Sequence, residues 1–181
     1  MRSAVLSSSK PVPAEPGVYA WHFKEVPQRV PVDDCVRMAN LTLLYVGISP
    51  DKAGKPNSKQ HLRARIINHY RGNAAGSTLR RSLGVLLTAD SGFPLRRVGS
   101  GQRMTFTHRG EQWLDDWMEE NAYVCWVKHD APWEIEDQLI QSISVPLNIK
   151  GNRAHPFSSQ LSNMRRAAIH EARRWPIASE A

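Results

Sequence analysis

Only two of the 181 residues are cysteines, Cys35 and Cys125. That is too few for a disulfide scaffold or a four-thiolate zinc site, and the two lie far apart in sequence. No apolar run approaches the roughly 20 residues of a membrane-spanning helix. Met1 to Lys10 lacks the basic leader and long apolar core of a secretory signal. Gly72, Gly76, Gly99 and Gly101 lack the Lys-Ser/Thr ending of a phosphate loop, and Ser7 to Ser9 have no nucleophile-elbow glycines. What is present is 41% hydrophobic and 8% aromatic, enough for an ordinary folded core. The expectation is one soluble, cytoplasmic domain with no membrane association.

The formal charge of +7 is unevenly spread. Residues 51–110 carry twelve cations against Asp51 and Asp90, a net +10. Residues 111–137 carry nine acids against Lys128, a net −8. A basic block of this kind binds phosphates through counterion release. An unevenly charged but merely solvated surface explains it equally well, so motifs must decide.

Gly17 to Phe23, Leu41 to Gly47 and Ala122 to Val127 are β-branched and aromatic and read as strands. From Gln60 to Tyr70, Leu62, Ile66, His69 and Tyr70 recur at helical spacing. Ser77 suits the N-cap of a helix from Thr78 to Leu87. Residues 88–110 read as loop with a short strand near Thr105. Glu111 to Glu120 reads as a helix with Trp113, Leu114, Trp117 and Met118 inside. Pro132 opens a helix expected to bury Ile135, Leu139 and Ile143, in keeping with proline's place in a first turn. Ser158 to Arg174 reads as a last helix, with Leu161, Met164, Ala168 and Ile169 inside. Its Arg165, Arg166, Arg173 and Arg174 could follow a DNA backbone, or simply face solvent.

The polar landmarks form an ordered set. Gly17-Val18-Tyr19 lies in the first strand and Tyr45-Val46-Gly47 in the second. Leu62, Arg65 and His69 follow as Leu-x-x-Arg-x-x-x-His, with Arg65 and His69 on one helix face. Glu136 sits on a later helix, and Pro146-Leu147-Asn148 comes twelve residues after it. Taken singly, each has a bland explanation: packing tyrosines, a solvated arginine, a core histidine, a surface acid, a turn asparagine. Five marks in this order, on the right elements, resemble the GIY-YIG nucleases. Tyr19 and Tyr45 lie 26 residues apart, longer than in the compact members and similar to the small GIY-YIG type II restriction enzymes.

The resemblance implies an α/β fold with a small three-stranded, mainly antiparallel sheet flanked by helices. It implies an irregular leader over residues 1–15, a nuclease-like domain over 16–150 with an insertion at about 71–121, and a basic C-terminal helix within 151–181 packed on that domain. It implies metal-dependent hydrolysis of phosphodiester bonds, in DNA rather than RNA, by a monomer or homodimer of restriction type or serving repair or recombination. The catalytic set would be Tyr19, Tyr45, Arg65, His69, Glu136 and Asn148. Glu136 would hold Mg²⁺ (or Mn²⁺), which stabilises a phosphoryl oxygen and the leaving oxygen. Arg65 would hold the phosphate by charge-assisted bonds. Either Tyr19 or Tyr45 would take a proton from water, and His69 could accept a tyrosine proton. Asn148 would position a helix end or a catalytic side chain. Lys52, Lys55, Lys59, Arg63, Arg71, Arg80 and Arg81 would line the path of the nucleic acid. The acids Asp115, Asp116, Glu119 and Glu120 would face away from it. The rivals are a catalytically inactive nucleic-acid-binding protein of the same fold, and a structural protein with no nucleic-acid partner.

Overall fold

The computed structural model describes residues 1–50 and 60–179. In chain order the elements are α1 (Arg2–Val5), β1 (Gly17–Phe23), β2 (Arg37–Met38), β3 (Leu41–Ser49), α2 (Leu62–Arg71), α3 (Thr78–Leu86) and α4 (Thr88–Ser91). They continue with β4 (Arg96–Val98), β5 (Arg103–Thr105), α5 (Thr107–Asn121), β6 (Ala122–Lys128), α6 (Trp133–Ser142) and α7 (Pro156–Arg174).

Burial along β1 alternates: Gly17, Tyr19, Trp21 and Phe23 are buried, and the residues between them are half-covered. That is the period of two of a strand with one face on a core. β1 is one of the sheet's two inner strands, paired antiparallel to β3 on one side and β6 on the other. The observed order, β2-β3-β1-β6, has four strands, not the expected three. The extra strand is Arg37–Met38, which pairs with Thr42 and Leu41 through a tight reversal in which Ala39 takes a left-handed φ of 53°. Both residues of β2 are exposed, so no apolar alternation signals them. A separate hairpin pairs β4 with β5.

The buried face of β1 meets Leu62, Ile66 and Tyr70 of α2, Leu79 and Leu83 of α3, Leu114 and Met118 of α5, and Leu161 of α7 in one core. A smaller cluster of Leu43, Val46, Ile140 and Val145 attaches α6 to β3. Ile140 is therefore the buried residue of α6, and Ile135, Leu139 and Ile143 are only half-buried. Ser77 caps α3 as expected, its side chain accepting the Arg80 N–H. Pro132 occupies the N-cap of α6. The leader is not irregular throughout: α1 is helical, and Val5 and Val12 join the core. Among the described residues no helix is long and apolar enough to cross a membrane.

Arg80 is a correction. It is fully buried, and its guanidinium meets Glu111 at 2.8 Å and Asp115 at 2.6 Å. It also donates to the carbonyls of His69 and Tyr70. Asp115 takes a second cation, Arg2, at 2.6 Å. Arg80 therefore locks α2, α3 and α5 together and has no donor to spare for a nucleic acid. Removing one partner of a buried ion network leaves uncompensated charge behind. Arg80→Ala is expected to lower unfolding stability by about 3 kcal/mol or more, read by urea titration. A loss under about 0.5 kcal/mol, the range of ordinary surface substitutions, would refute the assignment.

Candidate active site

The cleft at the end of β1 and β3 has a volume of about 390 Å³. Tyr19 reaches it from β1, Tyr45 and Gly47 from β3, Arg65 from α2, Glu136 from α6, and Asn148 from the segment after α6. These residues are far apart in sequence and are brought together by strand register. Tyr19 pairs with Gly47 and Trp21 with Tyr45, so both tyrosines lie on the sheet face covered by α2, with ring centroids 6.4 Å apart. Gly47 is required by contact rather than by backbone freedom. A Cβ there would sit 2.4 Å from the Tyr19 hydroxyl, so any side chain would displace the phenol.

Tyr19 is almost fully buried. Arg65 Nε donates to its hydroxyl oxygen at 3.3 Å, and His69 Nε2 lies 2.9 Å from the same oxygen. His69 Nδ1 lies 2.8 Å from Ser77 Oγ, which accepts the Arg80 backbone N–H at 3.1 Å. The arrangement that satisfies each group has Ser77 donating to Nδ1 and His69 Nε2–H donating to Tyr19. Tyr45 is the neighbouring phenol, its ring tilted against that of Tyr19. A row of donors thus runs from the start of α3 to the cleft.

Burial, then the nearby Tyr45, hold the Tyr19 pKa well above the ordinary phenol value, and Arg65 only partly opposes them. Burial, then Arg65 and Arg80, hold His69 well below the ordinary imidazole value. Near neutral pH the pair is a neutral phenol on a neutral imidazole.

Asn148 is committed to the backbone. Its Oδ1 accepts the Val46 N–H at 2.9 Å and its Nδ2 donates to the Val46 carbonyl at 2.8 Å. Leu147 N donates to the Leu44 carbonyl alongside. This pairs the free edge of β3 at the residue between Tyr45 and Gly47, so Asn148 holds the motif strand in place.

Glu136 is the carboxylate of the cleft. Among the described residues no group of three or more His, Cys, Asp or Glu lies together. The donor set therefore does not suit a fully protein-ligated ion such as structural zinc. It does suit a hard Mg²⁺ that keeps most of its waters and binds through one carboxylate plus substrate phosphate.

The cations proposed for the nucleic acid fall into four cases. Lys52, Lys55 and Lys59 lie outside the described residues. Arg71 is exposed but lines a separate cleft with Arg103 and His108. Arg63 and Arg81 are half-buried and donate to the carbonyls of Val12 and Ala74. Arg80 is internal. Asp115 and Glu119 bond to Arg80, Arg2 and Ser3. Asp116 and Glu120 are exposed, and none of these four acids lines the cleft.

Three polar residues of the cleft wall belong to none of the sequence motifs: Thr78, Lys150 and Arg165. The sequence does carry a signal for Arg165, because it lies four residues after the buried Leu161 and so on the inner side of α7.

A family model for the GIY-YIG catalytic domain matches residues 17–167. The match spans most of the chain and runs into α7, and the chain belongs to the GIY-YIG nuclease superfamily. No curated protein and no solved structure matches it.

The buried neutral His69 makes stability depend on pH. Below about 6.5 the unfolded chain binds a proton at this residue that the folded chain does not. Stability should therefore fall as pH drops from about 6.5, at up to about 1.4 kcal/mol per pH unit. His22 and His155 are also lowered by burial and remain in both proteins of a comparison. His69→Gln should show a shallower fall than wild type in urea titrations at pH 7.5, 6.5 and 5.5. Equal slopes would mean that His69 is protonated in the fold.

Proposed function

We propose that this chain is a metal-dependent endonuclease that hydrolyses phosphodiester bonds of DNA. One observation carries the proposal: Tyr19, Tyr45, Arg65 and Glu136, from four separate elements, line one cleft. A fold kept only for binding has no need of that convergence.

Arg65 holds a phosphate oxygen by a charge-assisted bond. Glu136 would hold Mg²⁺ or Mn²⁺, which would supply charge relief to the phosphate as the bond breaks. Tyr45, its own hydroxyl proton first released to solvent, takes the proton of the attacking water. Tyr19 is less suited to that task, because burial keeps its own proton in place. Its role is to orient Tyr45, with His69 and Ser77 behind it. Asn148 keeps Tyr45 in register through Val46. DNA is the proposed polymer, approached by cations around the cleft such as Lys150. The motif spacing favours restriction-type cleavage. A single cleft cuts one strand, so a clean double-strand break would require a homodimer or two successive nicks.

Supercoiled plasmid should be nicked or linearised in Mg²⁺, with activity lost in EDTA and restored by added Mg²⁺. Glu136→Ala should be inactive yet still bind DNA. If wild type and Glu136→Ala are equally inactive on varied DNA and RNA while both bind, the enzyme reading fails and the chain is a binding protein of this fold. Ends mapped on a random-sequence library should share a short motif. Cutting confined to branched substrates would instead assign repair or recombination.

The tyrosine roles are separable. Tyr45→Phe should lower the cleavage rate by about 10²–10⁴-fold, the span of general-base catalysis, with DNA affinity retained. Tyr19→Phe should cost less. The opposite ranking would transfer the base role to Tyr19.

A further inference from the structure

Among the described arginines that are buried or half-buried, Arg165 is the exception. Arg63 donates to Val12, Arg81 to Ala74, and Arg96 and Arg97 to carbonyls near the C-terminus. Arg80 has two carboxylates. Arg165 is half-buried on the inner side of α7 and makes no hydrogen bond or ion pair among the described residues. Its charged neighbour is Arg81, which repels it, and it faces Tyr45 across the cleft. Burial, then Arg81, lower its pKa. A guanidinium partly removed from water, with no anion against it, is costly to keep. Here it is kept at the wall of the cleft that also holds Arg65.

We propose that Arg165 is a second phosphate-binding residue of the active site, gripping the DNA backbone from α7 as Arg65 does from α2. This rests on the nuclease reading above. It makes α7 part of the active site rather than an outlying basic helix. The planar fork of Arg suits two phosphate oxygens at once, which Lys cannot match. The missing counter-ion would be the substrate itself.

The test compares wild type with Arg165→Met, Arg165→Lys and, as a charge-loss control, Lys24→Ala, which is exposed just after β1 and lines no part of the cleft. Plasmid cleavage by Arg165→Met should fall about 10²-fold or more. Arg165→Lys should be intermediate, and Lys24→Ala should stay within about two-fold. In the Glu136→Ala background, binding of a random-sequence duplex in EDTA, read by fluorescence anisotropy, should weaken on adding Arg165→Met. The slope of log affinity against log salt should become shallower by about one.

The melting temperature of Arg165→Met should rise by about 2–4 °C, because an unpaired, partly buried charge is removed. A structural role predicts the opposite sign. Arg165→Met with wild-type cleavage and an unchanged salt slope, or with a lowered melting temperature and affinity restored by Arg165→Lys, overturns the proposal. An inactive wild type whose DNA binding still loses one charge's worth of salt dependence in Arg165→Met would sink the nuclease reading but uphold the phosphate contact.

Discussion

The register of β1 on β3 is the constraint from which the site follows. Tyr19 stands opposite Gly47, and only the absence of a side chain at 47 leaves room for the phenol. A slip of one residue would send Tyr19 and Trp21 to the other face of the sheet, away from Arg65 and His69. The same pairing sets Tyr45 diagonally across from Tyr19. It also leaves the outer edge of β3 at Val46 to be satisfied by the carboxamide of Asn148. Two short motifs and a distant asparagine are thus parts of one ladder. Tyr19 is not free to move without breaking buried hydrogen bonds.

Behind the ladder lies a polar network inside an apolar core. His69, Ser77 and Arg80 are all buried. Each survives there because it is partnered: His69 by Tyr19 and Ser77, and Arg80 by two carboxylates and two carbonyls. The charge segregation of the sequence takes a different meaning in this light. Part of the basic block and part of the acidic block cancel where the buried Arg80 meets Glu111 and Asp115. Glu136, from the same acidic block, goes instead to the cleft. A net charge counted along the chain mixes these two roles.

Much of the site is legible in the sequence. The Gly-Val-Tyr and Tyr-Val-Gly strands, the Arg65–His69 helix face, Glu136 and Asn148 are all marked by residue type and spacing, and the fold places Tyr19, Tyr45, Arg65, Glu136 and Asn148 around one cleft. β2 is not legible, since two exposed residues carry no pattern. Nor is the partner of Asn148, because a carboxamide that completes a strand edge looks like a turn residue in sequence. Arg80 and Arg81 are adjacent and chemically identical. Only the packing of α3 against α2 and α5 buries the first and leaves the second half-exposed.

Local features are what a linear chain encodes directly: the period of two in β1, the period of 3.6 in α2, and the side-chain chemistry of the five marks. The family, the principal strands and the central catalytic candidates follow from these alone. Availability is a different property. Whether a guanidinium meets a carboxylate, a carbonyl or an open cleft depends on elements tens of residues away. Arg80, Arg81 and Arg165 therefore take their separate places only when α3, α5 and α7 close around the sheet.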